Sequence, residues 1–185
     1  MVVDRHRTAR GVIAGATAAA VWAAQQSADK RLFGVRYDDT ELLGKFFTRG
    51  RGWRPAGIAA HLATGGALGA VYANIDTRLP LRPAARGPVF ALTEHLLTWP
   101  GTRLLDRVHP AADDFPRLWG DHRAFAQATW RHLLFGTILG ELHRRLQATQ
   151  DAFVEDQPVF APAGGQGLED AQAFEGPLGR LYRGD

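Results

Sequence analysis

Four stretches of the chain carry dense apolar runs of near-helical length, about residues 10–29, 56–76, 87–107 and 124–147. Each is close to twenty residues, which as a helix gives about 30 Å, the hydrocarbon thickness of a bilayer. Proline and glycine mark the junctions. Pro55-Ala56-Gly57 opens the second run, Pro80 and Pro83 separate the second from the third, and Gly87-Pro88 opens the third. Within these runs one spacing occurs twice, as His61-x3-Gly65-x3-Gly69 and again as His132-x3-Gly136-x3-Gly140. Residues four apart drift by only about 40° around a helix, so each histidine shares a face with its two glycines. Glycine is about 1 kcal/mol worse than alanine in a helix interior, so glycines repeated on one face imply a backbone that something must approach closely.

The repetition extends beyond this motif. Gly11 aligns with Gly87, Trp22 with Trp99, Asp29-Lys30 with Asp106-Arg107, and Asp38-Asp39 with Asp113-Asp114, all in the same order. The chain therefore reads as all-α, a four-helix bundle made by tandem duplication of a helix-loop-helix unit. One four-helix domain is expected over 1–147, with repeats at about 11–76 and 87–147. The long connections, Asp38 to Trp53 and Asp113 to Arg123, carry Leu42, Leu43, Phe46, Phe47, Phe115, Leu118 and Trp119. They are expected to hold amphipathic half-helices of their own. Residues 148–185, acidic and rich in proline and glycine, read as a flexible tail, whose Leu178, Leu181 and Tyr182 are a frayed end or a short docking motif.

Composition narrows the picture. A length of 185 residues suits one domain, and the absence of cysteine excludes disulfides, thiolate metal sites and cysteine nucleophiles. The net charge is +3, but no basic stripe interleaved with aromatics marks a nucleic-acid surface. Arg5 to Arg10 ahead of a charge-free run has the layout of a signal peptide. That run is Ala/Gly-rich rather than Leu-rich, and it has a counterpart later in the chain, so a retained helix is expected.

The solvent around the helices is the open question. Gly11-x3-Gly15, Gly65-x3-Gly69 and Gly136-x3-Gly140 are small-xxx-small faces of the kind that pack in lipid, and Trp53, Trp99 and Trp130 sit near segment ends as an interfacial belt would. Against this, Asn74, Glu94, His95, Arg131 and Glu141 interrupt the runs. The Ala-rich first helix with its Gly-x3-Gly, the Gly65-x3-Gly69-x2-Tyr72 pattern and His132-x3-Gly136 resemble the YagU-like small four-span bacterial inner-membrane proteins over roughly residues 11–146. That resemblance implies a bacterial cytoplasmic (inner) membrane location, with a link to acid tolerance. The duplicated Asp-Asp loops, more polar helices and long tail depart from it. Basic residues do not decide orientation, and both termini are placed in the cytoplasm.

Candidate chemistry is sparse. His61 and His132 are equivalent in the repeats, so they are candidates to face each other and bind a cofactor such as haem; the alternative is helix-contact histidines bonded to Gln25, Gln26 or Glu94. Glu94-His95 stands where the first repeat has Ala18-Ala19, and this asymmetry suggests a proton or ion relay, or else a carboxylate paired with Arg131 or a histidine. The Asp-Asp pairs read as helix caps, and Asp29-Lys30-Arg31 as a charged helix exit. No metal site is predicted, and no G-x-S-x-G, P-loop, dinucleotide fingerprint, H-E-x-x-H or E-x-x-H occurs. The expectation is a non-enzymatic integral membrane protein, with the lipid bilayer as partner, packing with itself or a membrane partner through its glycine faces. The alternatives are a small proton or ion conduit, and a soluble bundle holding an apolar ligand or haem.

Overall fold

The structure is a computed structural model and describes residues 4–155. Among the described residues the fold is all-helical, with no strand: α1 (Arg5–Phe33), α2 (Asp39–Phe47), α3 (Trp53–Ile75), α4 (Pro83–Thr98), α5 (Thr102–Val108) and α6 (His122–Glu155), joined in part by three short 3-10 turns. α6 continues past residue 147, where the fourth run was expected to end; the remainder of the tail, with Leu178, Leu181 and Tyr182, lies outside the described residues.

Local chemistry accounts for the boundaries. Asp4 caps α1 by accepting from the amides of His6 (2.9 Å) and Arg7 (3.1 Å). The helix stops at Gly34, whose φ of +70° is left-handed and whose N–H bonds to the Lys30 carbonyl. Asp38 caps α2 through the amides of Thr40 and Glu41, as the Asp-Asp reading anticipated. Asp113 and Asp114 do not repeat that role. They lie within a 3-10 turn, and Asp114 instead accepts from Lys45 at 2.8 Å.

The third predicted helix is corrected. It breaks into α4 and α5 at Trp99-Pro100-Gly101, a 3-10 turn where Pro100 withholds an N–H and Gly101 follows it, whereas Pro88 is carried inside α4. The backbone stays right-handed through the junction, with Thr98, Gly101 and Thr102 all in the αR region. One expected helix is thus two, and α4 alone has 16 residues.

The glycines do what their spacing implied. A Cβ on Gly15 would run into the Gly65 carbonyl, and one on Gly69 into the Gly11 carbonyl. As numbers rise along α1 they fall along α3, so the two helices are antiparallel with backbones in contact. The second seam has the same pattern: a Cβ on Gly87 would strike the Gly136 carbonyl, and one on Gly136 the Gly87 carbonyl and the Ala91 methyl, joining α4 to α6. A third close approach went unread in the sequence. Gly44 of α2 lies against the Trp53 carbonyl and Gly57 of α3 against the Thr40 carbonyl, which fastens the half-helix α2 to the start of α3.

The two pairs meet over a core of Ala14, Ala18, Trp22, Tyr72, Ala91, Phe135 and Leu139. A smaller core of Val35, Tyr37, Leu118 and Ala124 lies under the connections. Those connections also touch each other: His109 Nε2 donates to the Leu42 carbonyl at 3.0 Å, a direction fixed because its Nδ1 accepts from the Ala111 amide. Polar side chains share this interior, and several large apolar ones lie on the surface. Arg131, Asp29, Gln127, His95 and His143 are buried, while Val12, Ile13, Ile58, Val71, Leu96 and Leu97 are exposed. Among the described residues, one helical stretch, Trp53–Arg78, is long and apolar enough to cross a membrane by length and composition.

Candidate functional site

Two polar clusters lie in the interior, side by side along α6. The first is built on Arg131, whose side chain has no exposed surface. Its Nε and Nη2 donate to the two carboxylate oxygens of Asp29, each at 2.6 Å, and its Nη1 donates to Asp39 at 2.6 Å. The Tyr37 carbonyl accepts a further bond from Nη2 at 3.0 Å. Asp29 also accepts from Gln25 (2.6 Å) and Gln127 (2.8 Å), and Asp39 from the Trp22 indole (3.0 Å) and the Tyr37 hydroxyl. Burial, with the Asp39 carboxylate beside it, pushes the Tyr37 hydroxyl well above its ordinary pKa and keeps it a donor. One guanidinium thus faces two carboxylates, and α1, α2 and α6 are tied at one point. Asp29 is therefore not the exposed helix exit expected from Asp29-Lys30-Arg31. It is buried, while Lys30 and Arg31 lie in the last turn as expected, Lys30 pairing with Asp38 at 2.6 Å and Arg31 exposed.

The second cluster holds the histidines. His61 Nε2 donates to the Ala19 carbonyl at 3.1 Å, rather than to Gln25, Gln26 or Glu94. At the equivalent place on the other seam, His132 sets its Nδ1 2.7 Å from the Ala128 carbonyl and its Nε2 3.0 Å from a Glu94 carboxylate oxygen. Its ring packs on His95 with centroids 4.5 Å apart, and His95 Nε2 reaches Thr129 Oγ1 at 3.0 Å. Glu94, His95 and His132 are thus brought together, and Glu94 takes the histidine among its two candidate partners.

His61 and His132 do not join in one ligand pair. The Trp22 ring stands edge-on to both, at 5.3 Å from His61 and 4.8 Å from His132. With both nitrogens of His132 engaged and the indole in contact with each ring, a haem held from two sides does not fit this arrangement. No group of three or more His, Asp or Glu is placed to hold a metal ion among the described residues.

Both clusters border one cavity of about 200 Å³, lined among others by Trp22, Asp39, Glu94, Trp99, His132 and Phe135. The exposed Thr64 of α3 and Thr98 of α4 also line it and mark its mouth between those helices. Sequence reasoning missed the Arg131 cluster. Its available signal was Gln25 and Asp29, which lie four apart on one face of α1 in an otherwise Ala-rich helix.

Proton positions in the second cluster follow from its partners. A carbonyl oxygen only accepts, so Nδ1 of His132 carries a hydrogen. A bare Nε2 lone pair aimed at a carboxylate would be repulsive, so one further proton bridges His132 and Glu94. The two side chains thus meet as a hydrogen-bonded pair at the cavity wall.

No family model, curated protein or solved structure matches this chain.

Proposed function

We propose that this is a non-enzymatic integral membrane protein of the bacterial cytoplasmic membrane, a four-helix bundle of two duplicated units with α1, α3, α4 and α6 as its spans. The pairing of a buried ion cluster with exposed apolar side chains carries the reading: Arg131 and Asp29 are paired inside, and Val12, Ile13, Ile58, Val71, Leu96 and Leu97 face outward. Backbone-on-backbone glycine seams support it, because lipid gives helices no hydrophobic reason to associate and close packing must supply the attraction. The duplication is supported by equivalent contacts, since Gly11 on Gly69 and Gly15 on Gly65 correspond to Gly87 on Gly140 and Ala91 on Gly136. The resemblance to YagU-like proteins points the same way. Retention in the membrane pellet after a carbonate wash is the expected outcome; release as a monodisperse, detergent-free species would place the chain among soluble bundles.

The proton bridge between His132 and Glu94 favours a more specific role within this one, a proton relay opening on the cavity. Protein in liposomes is expected to pass a pH-driven proton flux that Glu94→Gln removes. A protein that passes none is not a relay.

A further inference from the structure

The cavity brings together features that no proton path requires. Trp22, Trp99, Tyr37 and Phe135 contribute to its walls, and so do the carboxylates of Asp39 and Glu94. Behind Asp39, Arg131 is shared between two carboxylates, so that cluster carries one excess negative charge. Glu94 and His132 together hold one proton and are neutral as a pair. The titratable and charged groups that share the cavity wall with them are His95 from α4, His61 from α3, Asp39 from α2 and Tyr37 from the connection ahead of it, with Asp29 of α1 and Arg131 of α6 behind Asp39. The wall thus presents aromatic surface with negative charge, which disfavours an anion. A small metal cation is disfavoured as well, because no three acidic or histidine side chains converge among the described residues. Aromatic rings with nearby carboxylate suit a weakly hydrated organic cation.

We infer that the cavity binds a small organic cation of the quaternary or tertiary ammonium class, in exchange for the proton shared by Glu94 and His132. The exchange balances. The proton leaves the His132 Nε2–Glu94 bridge for solvent, His132 remains neutral with its hydrogen on Nδ1, and the cation takes the proton's place beside the Glu94 carboxylate. No covalent bond between heavy atoms is made or broken, and the net charge of the cavity is unchanged. A volume of about 200 Å³ limits the ligand to a compact head group. The inference deepens the relay reading by naming what the proton is exchanged for, and it holds whether lipid or water surrounds the helices.

The test uses the full-length purified protein, in detergent if it partitions with membranes, and tetramethylammonium as the probe. Titration calorimetry in two buffers of different ionisation enthalpy counts protons released, and tryptophan fluorescence follows Trp22 and Trp99 in the cavity wall. Saturable binding with one proton released per cation is expected, with affinity rising about tenfold per pH unit while the pair retains its proton. Neopentyl alcohol, a neutral molecule of similar size, is expected to bind at least about tenfold more weakly. Glu94→Gln, which removes the carboxylate the cation sits beside, should lose the proton release and the pH slope and bind at least about tenfold more weakly. Absence of saturation, equal binding of the alcohol, or binding by the unaltered protein with no proton released would each overturn the exchange. The unaltered protein alone decides it, so misfolding of the variant does not obscure the result. Proton flux in liposomes without cation binding would leave the relay standing and remove only the exchange.

Discussion

The α1/α3 and α4/α6 seams bring small residues together in the same antiparallel pattern, and they differ in the chemistry beside them. In the first, glycine meets glycine twice, and His61 ends its polar path at a backbone carbonyl, that of Ala19. In the second, Ala91 stands where the first seam has Gly15, and Glu94-His95 where it has Ala18-Ala19. The same histidine then finds a carboxylate instead of a carbonyl. A carbonyl can only hold a hydrogen bond in place, whereas a carboxylate can exchange a proton with its partner. The difference teaches that residues on one helix decide whether the histidine of its partner helix meets a backbone carbonyl or a carboxylate.

Substitutions at three places, the ion cluster, the seams and the connections, test how far the seams and their ties are separable. The largest effect belongs to Arg131→Met, which leaves Asp29 and Asp39 facing each other in the interior. A loss of about 3–5 kcal/mol is expected, read by denaturant or thermal unfolding in the medium that keeps the protein dispersed. A loss below about 1 kcal/mol would mean that the two helix pairs stay together without this tie.

The middle effect compares equivalent glycines directly. Gly69→Ala drives a methyl into the Gly11 carbonyl, and overpacking of this kind costs about 1–3 kcal/mol. Gly140→Ala meets its nearest atom, the Cα of Gly87, at 3.1 Å, and about 1 kcal/mol of helix propensity offsets the small shift required. The first variant is expected to destabilise and the second to be near neutral. Equal effects would show that the seams are energetically alike despite their different spacing.

The smallest effect concerns the connections, where only the first repeat has a capping aspartate at the Asp-Asp site. Asp38→Ala is expected to lose about 1 kcal/mol. Burial pushes the Asp38 carboxyl up, but hydrogen bonds from Lys30, Thr40 and the Glu41 amide outweigh it and hold its pKa below the ordinary value of 3.8. A depressed carboxylate contributes stability above its unfolded pKa and loses it as pH falls through the folded one. The unaltered protein should therefore shed this contribution only on acidification below about pH 4, where the variant has none to lose. An identical acid-unfolding profile for the two proteins would show that the cap contributes nothing through its charge. Asp113→Ala is the matching control, since that residue caps no helix.

Much of this architecture is legible in the chain because its signals are local. Alanine-rich runs specify helices, four-residue glycine spacing marks the contact faces, and Asp38 two and three residues ahead of the amides it caps is a short-range pattern. Pro100 was equally visible, but the missing N–H alone does not decide the break, since Pro88 sits inside α4 without ending it. The Arg131–Asp29 pair carries no such signal: the residues are 102 positions apart, and each sits next to residues that fit a surface reading. Which carboxylate a buried arginine finds is decided by helix packing, and so is the insertion of Trp22 between the two histidines.

The glycine seams also bear on how the molecule can move. A contact made of backbone freezes no side-chain rotamers when it forms, and it has none to rearrange afterwards. Each helix pair is therefore a stiff plate, and the compliant surfaces are those between plates, where Tyr72 meets Phe90 and where Thr64 and Thr98 flank the cavity mouth.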